Sequence, residues 1–244
     1  MTKIIIHITK FIIATITALL FASCHFDSKS IKGSGNVKTE KRIVQGDFNT
    51  VVVSNAIDLV IEQSDKTEIT VEADDNLIKE IVTKVEGNTL VVKCNFGSFN
   101  KIKSKRVIVK MPIIDRIEAS SASSVKSLNI LRSEDITLKT SSAANMDVNV
   151  ESDVITCKTS SASTINIEGK ALKLETSASS ASTINAKKLL ANTIEAHASS
   201  GATIQIHPIV SLIAKASSGA NIKYNSSPKS IERLFSSGGS ISQD

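Results

Sequence analysis

Between Ser120 and Ile241 one six-residue phrase recurs seven times: two serines, a residue with almost no side chain, another small residue, a small polar one, then an aliphatic. The copies start at Ser120, Ser141, Ser160, Ser179, Ser199, Ser217 and Ser236, so successive steps are 21, 19, 19, 20, 18 and 19 residues. A period of that length marks a solenoid, in which each turn buries its apolar side only by stacking on the next. Position three reads Ala122, Ala143, Ala162, Ala181, Gly201, Gly219 and Gly238, and position six reads Val125, Met146, Ile165, Ile184, Ile204, Ile222 and Ile241.

A second aliphatic anchor precedes the closing aliphatic of each later phrase by ten residues: Ile136, Ile155, Leu174, Ile194, Leu212 and Ile231. Apolar residues alternate with polar ones around both anchors, which predicts two short strands per coil with the serine phrase as the corner between them. The sequence therefore specifies an all-β chain: a right-handed parallel β-helix-like solenoid with coils of about 19 residues. A hexapeptide left-handed helix is disfavoured because its coil length is strict, whereas this one varies. Small residues at position three are expected where one backbone layer rests on the next, and glycine there also permits positive φ. The fifth positions, among them Thr164, Thr183, Thr203 and Asn221, should form a row facing water. That row is the candidate binding face, set against a purely structural role in which stacked hydroxyls bond to one another.

Ahead of the repeats, short alternating runs such as Ile57-Leu59-Ile61, Leu90-Val92-Cys94 and Val107-Val109-Met111 read as strands between polar turns. This less regular β region, within a single domain of residues 40–244, should close one end of the solenoid. Residues 24–39, which include Gly33-Ser34-Gly35, read as a flexible tether. The thinner opposite end makes end-to-end homo-oligomers an expectation, because an unprotected terminal strand invites pairing.

Residues 1–23 have Lys3 and Lys10, an apolar run from Phe11 to Phe21, and small residues before Cys24. That is a secretion signal, and Leu20-Phe21-Ala22-Ser23-Cys24 resembles a bacterial lipobox with Phe21 where Leu is commoner. Cys24 is then the lipidated residue, and the membrane is a partner through this anchor. The localisation expected is the cell envelope, as an outer-membrane lipoprotein facing either the periplasm or the exterior.

Removal of the signal takes two lysines from 29 basic residues against 24 acidic ones, leaving a net charge of +3. Lys101, Lys103, Lys105, Arg106 and Lys110 form the densest basic stretch, and their alternation reads as one solvated strand face. No nucleic-acid partner is expected. Cys94 and Cys157 follow inward-pointing positions and read as small buried hydrophobes, since their spacing matches no disulfide framework.

Residues Phe48-Asn49-Thr50-Val51-Val52-Val53-Ser54-Asn55-Ala56-Ile57-Asp58-Leu59-Val60-Ile61, with Asp74-Asp75-Asn76-Leu77-Ile78 and the later Ser-Ser-Ala/Gly phrases, resemble the head GIN domain family (DUF2807), the putative auto-transporter adhesins. The resemblance covers roughly residues 40–240. It implies a parallel β-helix-like fold in lipid-anchored or secreted bacterial proteins and brings no catalytic residues with it.

Catalysis finds little support in the residues. His25, His197 and His207 form no ligand cluster, no serine stands in a Gly-x-Ser-x-Gly turn, and the acids of the repeats are scattered. Neither a metal nor a cofactor is called for. The expectation is a non-catalytic binding or adhesin-like surface for an unknown protein or glycan, with a self-associating envelope element or a carbohydrate-active enzyme as alternatives.

Overall fold

The structure, a computed structural model, describes residues 8–15, 30–43 and 45–244. Cys24, His25 and most of the signal segment lie outside the described residues. Residues 8–15 are helical, and no described helix is long and apolar enough to cross a membrane.

The remainder is built of strands. Ten short ones come first: β1 (Ser30–Lys32), β2 (Val37–Arg42), β3 (Thr50–Val53), β4 (Asp58–Gln63), β5 (Glu68–Asp74), β6 (Ile81–Glu86), β7 (Thr89–Cys94), β8 (Ser98–Asn100), β9 (Lys105–Met111) and β10 (Arg116–Ala119). The coils follow: β11 (Ser124–Thr140), β12 (Asn145–Thr159), β13 (Thr164–Ala178), β14 (Thr183–Ala198), β15 (Thr203–Ala216), β16 (Asn221–Tyr224), β17 (Ser230–Phe235) and β18 (Ser240–Gln243). From β11 to β18 every pairing is parallel.

Each full coil is one bent strand of 14 to 17 residues, where two separate strands were expected. In β13 the buried positions are Ile165 and Ile167 on one arm, Ala171 near the bend, and Leu174, Thr176 and Ala178 on the other arm, so the alternation changes phase and the strand turns between Ala171 and Leu174. Hydrogen bonding continues around the bend. Both aliphatic columns are in register: Val125, Met146, Ile165, Ile184, Ile204 and Ile222 stack on the first arm, and Ile136, Ile155, Leu174, Ile194 and Leu212 on the second. Ile165, Ile184 and Ile204 are completely buried. Each such side chain contributes about 1.5–3 kcal/mol by leaving water.

The serine corners are tight turns. In the first, Ser121 and Ala122 have φ of 52° and 58°, and the Ser123 amide donates to the Ser120 carbonyl at 3.2 Å. Two successive left-handed residues are the pattern of a type I′ turn. The turns also bond to one another: the Ala122 amide donates to the Ser142 carbonyl, Ala143 to Ser161, Ala162 to Ser180, Ala181 to Ser200, and Gly201 to Ser218. A spine of turn-to-turn hydrogen bonds thus runs along the solenoid.

This geometry corrects the expected reason for small residues at position three. Those residues are exposed, and a Cβ at Gly201 or Gly219 would meet nothing within 4 Å. Glycine serves there for its left-handed φ. Close layer packing belongs instead to position four, where Ser123, Ala144, Ser163, Ser182, Ala202 and Ala220 are buried and a Cβ on Gly239 would fall 2.5 Å from the Ala216 carbonyl oxygen.

The region before Ser120 is woven. The chain enters at β3 and β4, whose corner at Asn55 and Ala56 is left-handed like the others and donates from the Ala56 amide to the Ser121 carbonyl. It then runs outward through β5 and β6, returns as β7 and β9 to stack outside β3 and β4, and only afterwards reaches β10 and β11, which pair with β3 and β4 on their opposite side. Antiparallel β2 and β5 extend the first arm's sheet, and β6 extends the second's.

The tether expected over residues 24–39 is not free where it is described. β1 pairs with β8, and β2 pairs with β5 through six residues. Asp74, fully buried, holds the intervening Gly33–Gly35 segment by accepting the Gly35 amide at 2.8 Å. Residues 30–39 therefore belong to the folded body, because Asp74 and Asn76 supply partners that the glycine-containing sequence does not advertise.

Candidate binding face

On the first arm, outward residues alternate with the buried isoleucine column, so each coil presents a pair of polar side chains. The fifth-position row forms as expected: Ser124, Asn145, Thr164, Thr183, Thr203, Asn221 and Ser240 are in register, with Thr164, Thr183, Thr203 and Asn221 half-buried. Neighbours in such a row sit about 4.8 Å apart. The hydroxyls of Thr164, Thr183 and Thr203 form no hydrogen bond among the described residues, and Asn221 Oδ1 is buried without a partner. The stacked-hydroxyl role considered for this row is therefore not found.

Buried hydroxyls of a different set do bond between coils. Thr140 Oγ1 donates to Ser163 Oγ and Thr159 pairs with Ser182, both at 2.9 Å, while the Ser163 and Ser182 hydroxyls donate back to Ser160 and Ser179 carbonyls at 2.7 Å. In later coils the corresponding positions are alanine on both sides, Ala178 with Ala202 and Ala198 with Ala220. Buried hydroxyls without such a partner, Ser123 and Thr176, donate to backbone carbonyls instead, as the desolvation cost of an orphaned polar group requires.

Beside the threonine row lies a second one: Asp147, Asn166, Asn185, Gln205 and Lys223. Asn166 Nδ2 donates to Asp147 Oδ1 at 2.6 Å, and Asn185 Nδ2 to Asn166 Oδ1 at 3.3 Å. The ladder fixes the amides and leaves their remaining donors and acceptors outward. Its sequence signal is the repeated Thr-Ile-Asn triplet at Thr164 and Thr183, in which the asparagine directly follows the serine phrase. A cavity of about 490 Å³ opens along this row, walled by Lys126, Asn149, Glu168, Lys187 and Lys188. At its edge Lys187 and Lys223 contact Asp244 at 2.7 and 3.3 Å and hold its carboxyl below the ordinary value of 3.8.

The other sequence features fall elsewhere. Arg106 and Lys110 lie on the outward side of β9 while half-buried Lys105 lies on the side of buried Val107 and Val109, so the one solvated face expected is not found; each is paired with an acid of a flanking strand, Glu72, Glu62 and Asp58 respectively. His197 lies on the second arm and His207 beside the bend, so the two do not converge. Among the described residues no three His, Cys, Asp or Glu side chains are grouped to hold a metal. Cys94 and Cys157 are buried free thiols, and burial pushes that of Cys157 up to about 12. Cys24 lies outside the described residues.

A structure of this shape has solved counterparts. A putative adhesin from Bacteroides fragilis superposes with a TM-score of 0.79 at 21% identity, over 88% of this chain and 100% of that one. A putative lipid binding protein from Parabacteroides distasonis gives 0.73 at 20% identity over 88% and 100%, and a putative adhesin from Parabacteroides merdae gives 0.69 at 20% identity over 89% and 100%. At such identities these likenesses establish the fold. Comparison with curated protein sequences gives no match. The family model described as "Putative auto-transporter adhesin, head GIN domain" matches residues 47–228, and the chain belongs to that family.

Proposed function

We propose that this chain is a lipid-anchored cell-envelope protein whose polar first-arm face acts as a non-catalytic, adhesin-like binding surface. The observation that carries this reading is the row of unpaired threonine hydroxyls beside a fixed amide ladder. Hydroxyls that serve the fold would be bonded within it, as Thr140 and Thr159 are. A flat array of donors and acceptors repeating every rung suits an extended ligand with hydroxyls of its own, a glycan above all. Cys24 supplies the anchor, and the family supports a place at the cell envelope or surface.

The test uses the full acylated protein on an array of neutral oligosaccharides, compared with the triple variant T164V/T183V/T203V. Valine keeps shape and strand preference while removing the hydroxyl. Each lost hydrogen bond is worth about 0.5–1.5 kcal/mol, so affinity should fall at least about tenfold. Unchanged binding by the triple variant would remove this face from consideration. A second reading, contact with lipid, is favoured by a cavity of about 720 Å³ lined by exposed Leu172, Leu190 and Ile209. Phosphatidylethanolamine vesicles added to the same comparison would bind the triple variant as well as the parent protein if lipid is the ligand.

A further inference from the structure

The second arm carries its own outward column, in register from coil to coil: Glu118, Lys139, Lys158, Ser177, His197, Lys215 and Leu234. At its start Lys139 contacts Glu118 at 3.7 Å. Farther along, Lys158 and Lys215 have no carboxylate partner among the described residues. The adjacent column does not supply one, because Glu175 and Glu195 are both engaged by Lys173, at 2.7 and 3.1 Å. Glu232 and Arg233 on β17, aligned with Ile213 and Ala214, also form no ion pair among the described residues.

Where this column meets β17 the surface sinks into a cavity of about 430 Å³. Its wall includes His197, Lys215, Ser199, Ser217, Leu234 and Phe235. Phe235 is aligned with Ala178, Ala198 and Ala216, all buried, yet it is 65% exposed. The cavity thus combines an uncancelled ammonium, an imidazole, corner hydroxyls and an open aromatic face. A bare phosphate would use the cation and leave the ring idle, whereas a neutral sugar would leave the cation without a counter-charge. A pyranose bearing a carboxylate uses all four: its C–H face against the ring, its hydroxyls on the serines and the His197 imidazole, and its carboxylate on Lys215.

We propose that this cavity is a subsite for a carboxylate-bearing sugar, with the rest of an acidic oligosaccharide laid along the column toward Lys158. The proposal rests on the reading of the molecule as a binding surface but uses a different face from the threonine row. The experiment titrates the full acylated protein in detergent with hexagalacturonate, with maltohexaose as the neutral control and inorganic phosphate as competitor. Hexagalacturonate should bind and maltohexaose should not. K215A and F235A should each weaken binding about tenfold, K215R should retain most of it, and added salt should weaken the parent more than K215A. The variants lie on exposed positions, so an unchanged thermal midpoint verifies their fold. T164V/T183V/T203V should bind hexagalacturonate like the parent. If hexagalacturonate fails to bind, if K215A and F235A both bind normally, or if phosphate competes as well as galacturonate itself, the proposal fails. Loss in the threonine variant alone would move the acidic ligand to the first arm, overturning this site while leaving the function proposed above intact.

Discussion

Two stretches of one solenoid, residues 30–119 and the coils from Ser120 onward, are held together by different chemistry. In the coils the buried interactions are small, neutral and repeated: aliphatic stacks, turn-to-turn hydrogen bonds and two Thr–Ser pairs, with ion pairs confined to the surface. Before Ser120 they are singular. Asp74 accepts amides from Gly35, Lys103 and Ser104 at 2.8 to 3.0 Å, while Asn76 takes the Ser34 amide and gives to the Lys32 carbonyl. A Cβ on Gly33 would collide with this clasp, lying 2.6 Å from the Lys101 carbonyl oxygen. The difference follows from position. A coil is covered above and below by copies of itself, so its groups find partners one period away; an end has no next copy and must be closed by contacts used once.

The largest expected effect is therefore at Asp74. Burial raises its carboxyl pKa, but the amides of Ser104, Gly35 and Lys103 outweigh that and hold it below 3.8. D74A leaves those donors without an acceptor and should cost about 2–4 kcal/mol in denaturant unfolding at neutral pH. Since the folded carboxyl titrates below the unfolded one, its contribution is complete above about pH 4 and disappears as pH falls through the folded value. The variant should show less acid sensitivity than the parent. A cost below about 1 kcal/mol would mean that the clasp is incidental and the two regions are equally distributed in their stability.

A smaller effect tests the coils' paired hydroxyls. T159A and S182A should each destabilise by about 1 kcal/mol, and the double variant, which copies the Ala198 and Ala220 arrangement, by less than their sum. Strict additivity in the double-mutant cycle would deny the coupling. The smallest expected change is a gain. Ala162 has φ of 58° and occupies a corner position where the equivalent glycine Cβ would touch nothing. A162G should stabilise by about 0.5 kcal/mol, because relief of left-handed strain exceeds the added entropy of the unfolded chain. A loss in thermal unfolding would show that the alanine methyl packs after all.

Much of the repeat architecture was legible because Ile165, Ile184 and Ile204 announce the same inward position at nearly constant spacing. The threonine row was legible for the same reason, and its neighbouring amide row was present in the same triplets. The corner at Asn55 and Ala56 was not, since Ile57 stands where later copies have Ser, Ala or Gly and no further copy follows until Ser120. The order around Asp74 was hidden too: Gly33, Ser34 and Gly35 suggest freedom, and the partners that remove it lie about forty and seventy residues away.

By itself the sequence determined which side chains stack and where the chain turns, because in a solenoid each residue's partner is its own counterpart one period on. Tertiary structure alone decided the return of β7 and β9 to lie outside β3 and β4, the closure of that end, and which hydroxyls are spent inside and which stay free. Those outcomes depend on pairings between residues at no fixed separation, and on burial created only when the layers meet.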